Sequence, residues 1–149
     1  MDTAPKFDLA KLGGGRKSLD EFLAKGAVLL AFFKISCPVC QLTLPYLNRM
    51  KGGKLQVVAI SQDDAESTAE FHDEFRISME TLLDSDDDGY PVSNAYGITH
   101  VPTMFVIERD GTIGEVIHGF VKRQMEALGA RCGIAPFEPG DYVPEWKAG

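Results

Sequence analysis

The apolar positions of this chain fall into two kinds of run, and their alternation sets the order of its elements. Residues 27–33, AVLLAFF, are apolar without polar alternation, the pattern of a strand covered on both faces and hence of a central one. Residues 55–61, LQVVAIS, predict a second buried strand. Between them, PVCQLTLPYLNRM carries apolar residues at helical spacing. Pro38 suits the first helical position, where no N–H is needed, and Gly52 and Gly53 end the helix, which Pro45 is expected to kink. After the second strand, DDAESTAEFHDEF is amphipathic, with Asp63 as the expected cap and Phe71 and Phe75 on the inner face. Strand, helix, strand, helix in that order predicts a parallel β-α-β core.

The flanking segments complete the outline. Ser18 and Glu21 form an S-x-x-E capping box ahead of LDEFLAK, so a short helix precedes the first run, with Gly26 as its stop. METLLD predicts a short strand or extended segment, and PVSNAYG a short helix. Residues 103–108 and 112–118 flank Asp110-Gly111, a hairpin signal. FVKRQMEALGARC then closes the domain as a helix. The tail from about 134 to 149, with three prolines and two glycines after Gly133, reads as irregular, with Phe137, Tyr142 and Trp146 as candidates to pin it to the surface. The 149 residues, without internal repeats, are expected to form a single domain.

Composition narrows the function classes. A net charge of −7 without a local Lys/Arg cluster repels phosphate backbones and anionic lipid, so neither nucleic acid nor membrane is an expected partner. The longest apolar run is too short to span a bilayer. No basic stretch followed by an apolar leader begins the chain, so a cytoplasmic location is expected, or a periplasmic one if a leader was removed. Three cysteines are too few for a disulfide scaffold, which leaves Cys37 and Cys40 free for chemistry.

That pair lies in KISCPVCQLT, at the junction of the first strand and the helix. Two thiols at this spacing serve as redox partners, metal ligands or packing residues. Cys37 falls at the helix N-terminus, where unpaired N–H groups and the helix dipole favour a thiolate. Cys40, one turn on, lies on the same side, within reach of a mixed disulfide formed at Cys37. Lys34 is a further candidate source of positive charge.

With its neighbours, this segment resembles the thioredoxin superfamily, and more closely its TlpA-like or redoxin branch, related to the alkyl hydroperoxide reductase/thiol-specific antioxidant family. The resemblance rests on APKFDL (4–9), SLDEF and VLLAFF within 18–33, CPVC (37–40), Pro45, AYGITHVPTMFVIERDG (95–111) and GF (119–120), in the family's order over roughly four-fifths of the chain. It implies a thioredoxin-like α/β fold, a central mixed sheet flanked by helices. It also implies a cis bond before Pro102, packed beside the cysteine pair, with the main chain of Val101 pairing with an extended substrate. Departures accompany it. Ser36 stands where the family usually has an aromatic residue, and Ala31 and Thr43 stand where relatives carry an acid that assists the second thiol. Pro38-Val39 lacks the charged or imidazole group of some strongly oxidising relatives.

Rival readings have less support. Peroxiredoxins resemble one another in a Pro-x-x-x-Thr-x-x-Cys element, whereas Lys34 lies three residues before Cys37 and the proline is missing. A closed copper or zinc site, as in a metal-delivery module, needs Cys37, Cys40, Cys132 and one of His72, His100 or His118, with no second paired motif behind it. His100, two residues before Pro102, is a candidate modulator of the thiols, as is the hydroxyl of Ser36. DSDDDG (84–89) imitates the start of a calcium loop, but Ala95 stands at the twelfth position, so an acidic solvated loop is expected. Cys132 and the methionines read as packing residues.

The combined reading is a thiol-disulfide oxidoreductase acting on protein or peptide disulfides, recycled by a reductase or another dithiol. Cys37 attacks, Cys40 resolves, and Val101, Pro102 and Pro38 shape the docking groove. No organic cofactor or metal is expected beyond the redox-active Cys37–Cys40 disulfide. Oligomeric state and the direction of electron flow are left open.

Overall fold

The structure, a computed structural model, describes residues 2–149. Its elements, in order, are β1 (Asp8–Lys11), β2 (Arg16–Ser18), α1 (Leu19–Leu23), β3 (Val28–Phe33), α2 (Pro38–Arg49), β4 (Gln56–Ser61), α3 (Ala65–Phe75), β5 (Glu80–Leu83), α4 (Pro91–Ala95), β6 (Thr103–Ile107), β7 (Ile113–His118), β8 (Phe120–Val121), α5 (Lys122–Cys132) and β9 (Trp146–Lys147). Seven strands form one mixed sheet in the order β2-β1-β5-β4-β3-β6-β7, and β8 pairs with β9 beside it. β3, β4 and β5 run parallel, as the β-α-β pattern requires, while β6 lies antiparallel to β3 and β7 antiparallel to β6.

β3 shows why its sequence lacks alternation. Leu29, Ala31 and Phe33 face a core containing Cys40, Leu44 and Leu47 of α2, Phe71 of α3, and Met125 and Leu128 of α5. Val28, Leu30 and Phe32 face a second core containing Leu19 and Phe22 near the chain start and Val92 and Tyr96 near α4. Both faces of the strand are covered, so all six of its residues are buried.

Local chemistry accounts for the helix ends. The capping box of α1 is complete, with the Ser18 side chain accepting from the Glu21 N–H and the Glu21 carboxylate accepting from the Ser18 N–H. α2 continues to Arg49 through Pro45, which has no N–H to offer the Gln41 carbonyl. The cap of α3 is Asp64, whose carboxylate accepts from the Ser67 N–H at 2.7 Å, and not Asp63. Asp63 turns instead toward the loop after β3. The two aspartates are adjacent, and only tertiary packing separates their roles.

One element goes unsignalled and two further expectations change. Residues 8–18 form the β1–β2 hairpin, which two short strands closed by Gly13-Gly14-Gly15, with β2 at the sheet edge, scarcely signal in their periodicity. The acidic segment is solvated at Asp86–Asp88, yet Asp84 is buried, and its carboxylate accepts from the N–H groups of Val92 and Ser93 and from the Ser93 hydroxyl. In the tail, Phe137 packs against Tyr46 and Phe120, but Tyr142 is fully exposed. Trp146 lies in β9, so the tail's end is an ordered strand.

His72 of α3 is buried and stacks on Phe33 of β3. The Thr81 hydroxyl donates to the Met79 carbonyl, so at 2.7 Å it accepts from the His72 Nε2–H, which leaves Nδ1 as an acceptor without a partner among the described residues. Burial lowers this imidazole's pKa from 6.5. Below that value the unfolded chain binds a proton that the folded chain resists, so stability present at higher pH is lost as pH falls. Denaturant titrations from pH 6.5 to about 5 should therefore show unfolding free energy falling, with a limiting slope of about 1.4 kcal/mol per pH unit. His72→Gln keeps a donor to Thr81 and should flatten that slope.

Candidate active site

The site begins where β3 ends. Phe33 is the last residue of the central parallel strand, and Lys34, Ile35 and Ser36 carry the chain to Cys37, the N-cap of α2. Open α/β sheets place their reactive groups at the carboxyl ends of strands, where loops leave the core and helix N-termini gather. Asp63, at the end of the neighbouring strand, accepts from the Ile35 N–H at 2.8 Å and ties this loop to the one after β4. Nothing in the helical pattern around Asp63 signals this contact, because its partner lies 28 residues away.

The two thiols, both free in this structure, occupy contrasting surroundings. Cys37 is partly exposed, and its Sγ accepts from the Cys40 N–H at 3.1 Å. A helix N-terminal N–H aimed at sulfur is the contact that a thiolate uses. Cys40 is wholly buried. Desolvation pushes its pKa far above the ordinary thiol value, and the hydrogen bond with Cys37, the next contribution, pushes the same way. The first thiol is therefore placed to meet a partner and the second is kept protonated until something changes around it.

The Val101–Pro102 peptide bond is cis, as the resemblance implies. Pro102 is buried, and the Cys37 thiol donates to the Val101 carbonyl at 3.4 Å, which joins the partly exposed thiol to this loop. Cys37, Cys40, Val101 and Pro102 thus converge from two segments about sixty residues apart, with Val101 and Cys37 separated by 64 positions. Pro38 is exposed at the first position of α2.

The remaining candidates stand apart. Ser36 is exposed, and among the described residues its hydroxyl makes no hydrogen bond. His100 is exposed, with Nδ1 beside the Thr99 hydroxyl at 3.0 Å and its ring 5.4 Å from that of His118. The Lys34 ammonium lies over the Tyr90 ring, 5.8 Å from its centre. The two positions at which relatives carry an acid are closed: Ala31 and Thr43 are buried, and the Thr43 hydroxyl donates to the Val39 carbonyl within the helix.

Cys132 does not join the pair. Its sulfur lies against the Leu55 carbonyl at 3.9 Å, and its own carbonyl accepts from the Lys54 N–H beyond the far end of α2. The 12 residues of α2 span about 18 Å, so a single ion cannot bridge Cys132 and the thiols at the other end. Among the described residues, no three His, Cys, Asp or Glu side chains converge as metal ligands.

Residues 1–116 match the AhpC/TSA family. The thiol-disulfide oxidoreductase ResA of Geobacillus thermodenitrificans is 30% identical over 128 residues, covering 82% of this chain and 71% of that protein. The thioredoxin domain of a thiol-disulfide oxidoreductase from Bacteroides vulgatus superposes with a TM-score of 0.76 at 21% identity, covering 88% of this chain and 96% of that one. A peroxidoxin from Mycobacterium tuberculosis gives 0.70 at 25% identity, covering 88% and 91%.

The burial contrast yields a direct expectation. Brief treatment of the native reduced protein with iodoacetamide near neutral pH should modify Cys37 at least about tenfold faster than Cys40 or Cys132, as read by peptide mass spectrometry. Equal labelling of all three in the folded protein would contradict the arrangement.

Proposed function

The chain belongs to the AhpC/TSA family, and we propose that it exchanges disulfides with extended polypeptide substrates, Cys37 attacking and Cys40 resolving. It is a thiol-disulfide oxidoreductase of thioredoxin-like fold that acts on protein thiols and disulfides. The observation that carries the division of labour is the opposition of the two sulfurs, one partly exposed at a helix N-terminus and one wholly buried a turn away.

The steps balance without another redox group. The Cys37 thiolate attacks one sulfur of a substrate disulfide, forms a mixed disulfide and expels the other sulfur as a thiolate. Cys40 then loses its proton and attacks the Cys37 sulfur, which closes the Cys37–Cys40 disulfide and releases the second substrate thiol. Two electrons and two protons pass to the substrate. Run in reverse, the oxidised pair accepts them from a dithiol. The reading needs neither organic cofactor nor metal, because the two sulfurs hold both electrons, and a reductase or a second dithiol completes the cycle. Neither relative-type acid accompanies Cys40, and the nearby Asp63 carboxylate, held by the Ile35 N–H, opposes the charge of its thiolate, so deprotonation is slow and the resolving step limits turnover. The Val101 main chain, beside the Cys37 sulfur, is the edge on which an extended substrate docks.

Similarity to a peroxidoxin motivates one competing assay. The reduced protein should reduce insulin disulfides and leave hydrogen peroxide unconsumed at the same enzyme concentration. Cys37→Ser should abolish the first activity, and Cys40→Ser should lower turnover by roughly a hundredfold or more while accumulating a mixed disulfide at Cys37. Peroxide consumption without disulfide reduction would replace this reading with a peroxidase.

A further inference from the structure

The docking edge at Val101 already has a neighbour within the same chain. β9 pairs antiparallel with β8, Lys147 opposite Phe120 and Trp146 opposite Val121, and the Lys122 N–H donates to the Glu145 carbonyl at 3.0 Å. From this ladder the chain crosses Gly119, whose φ is +72°, so closely that a Cβ there would strike the Lys147 carbonyl and come 3.0 Å from the Gly149 N. It then reaches the loop before Pro102. A Cβ on Gly149 would collide with the Val101 carbonyl oxygen, sit 2.9 Å from the Val101 carbonyl carbon and lie 3.2 Å from the His100 ring. That oxygen is the one to which the Cys37 thiol donates. The segment lies beyond the residues 1–116 that match the family.

We propose that residues 145–149 are an intramolecular strap that occupies the polypeptide-docking edge at Val101 and that a protein substrate displaces by pairing in its place.

The energetics suit a cover that lets go. The ladder has two residues per strand, and both residues of β9 are exposed, with Trp146 62% accessible, so release uncovers little apolar surface. The Lys122–Glu145 ion pair, 3.7 Å with Glu145 largely in solvent, adds little. The upstream tail is held more firmly. Arg49 donates to the Asp141 carboxylate at 2.7 Å and to the Pro136 carbonyl at 3.0 Å, while Phe137 meets Tyr46 edge-on at 4.9 Å. A released strap therefore stays tethered close to the site and rebinds at high effective concentration once substrate leaves. Gly149 permits the close approach, because any side chain at that position meets the Val101 carbonyl. A small disulfide needs only the Cys37 sulfur, whereas a polypeptide needs the edge, so the strap discriminates between them.

This inference rests on disulfide exchange with Val101 as the docking edge, and its test separates the two. The full chain, a chain lacking residues 145–149 and Gly149→Val are compared in insulin reduction and in reaction with 5,5′-dithiobis(2-nitrobenzoate). If the strap covers the edge in about nine molecules of ten, both variants should raise kcat/KM for insulin about tenfold, with the aromatic disulfide changed by less than about twofold. Unchanged or lower kcat/KM for insulin in both variants overturns the strap.

A second measurement uses Trp146, the only tryptophan, and does not depend on turnover. In Cys40→Ser, Cys37 is joined to a cysteine-containing octapeptide through its 2-pyridyl disulfide, with release of pyridine-2-thione, or is capped with 2-mercaptoethanol in the same way. Trp146 emission should shift to longer wavelength with the peptide and stay unchanged with the small cap. Identical emission in the two adducts overturns the strap even if disulfide exchange is intact. If none of the three proteins reduces insulin, the function reading fails and the emission result alone judges the strap.

Discussion

A single hydrogen bond organises the chemistry of this protein. The Cys40 N–H, one of the donors that a helix start leaves without an intrahelical partner, is directed at the Cys37 sulfur at 3.1 Å. Proline at the next position costs α2 nothing there and holds the backbone ready for the first turn. The Cys37 sulfur is thus the helix cap itself, and a side chain that moved from this place would lose both its donor and its neighbour thiol. Everything else in the fold either holds that helix start in position or controls what reaches it.

The holding is done by the sheet. β3 is buried on both faces, so its carboxyl end is fixed by two cores, and the loop that follows is tied sideways by Asp63 to the end of β4. α2 leans its inner face on the same core, which takes Cys40 out of water while Cys37, at the rim, keeps partial access. The difference between the two thiols is therefore one of depth along a single turn of helix. Chemistry that requires one sulfur to be available first and the other later follows from that difference in depth.

A second segment flanks the pair. β6 enters the sheet antiparallel to β3, and the turn before it brings the Val101 carbonyl against the Cys37 thiol. The hydroxyl of Thr103 closes on the His100 carbonyl at 2.9 Å, and the Pro102 carbonyl accepts from the Gly119 N–H at 2.8 Å, so this turn is tied both to itself and to the start of β8. Through β8 the same turn communicates with the tail. Cys37, the Val101 turn and residues 145–149 are three links in one connected set of contacts.

Much of this was legible in residue order. Apolar runs without alternation marked β3 and β4, Ser18 and Glu21 marked the start of α1, and Pro38 beside Cys37 marked a helix capped by sulfur, because each of these signals depends on neighbours within a few residues. Resemblance to known sequences added Val101 and Pro102. Only the tertiary structure decided the rest, since it depends on groups far apart in sequence. It assigned the capping role to Asp64 and a loop-bracing role to its neighbour Asp63, buried Asp84 within an acidic run that reads as solvated, moved Cys132 to the far end of α2, and laid Gly149 on the Val101 carbonyl. A sequence specifies which residues can cap, bury or ionise through their own chemistry and spacing. Which partner each one meets is settled by how the sheet brings distant segments together.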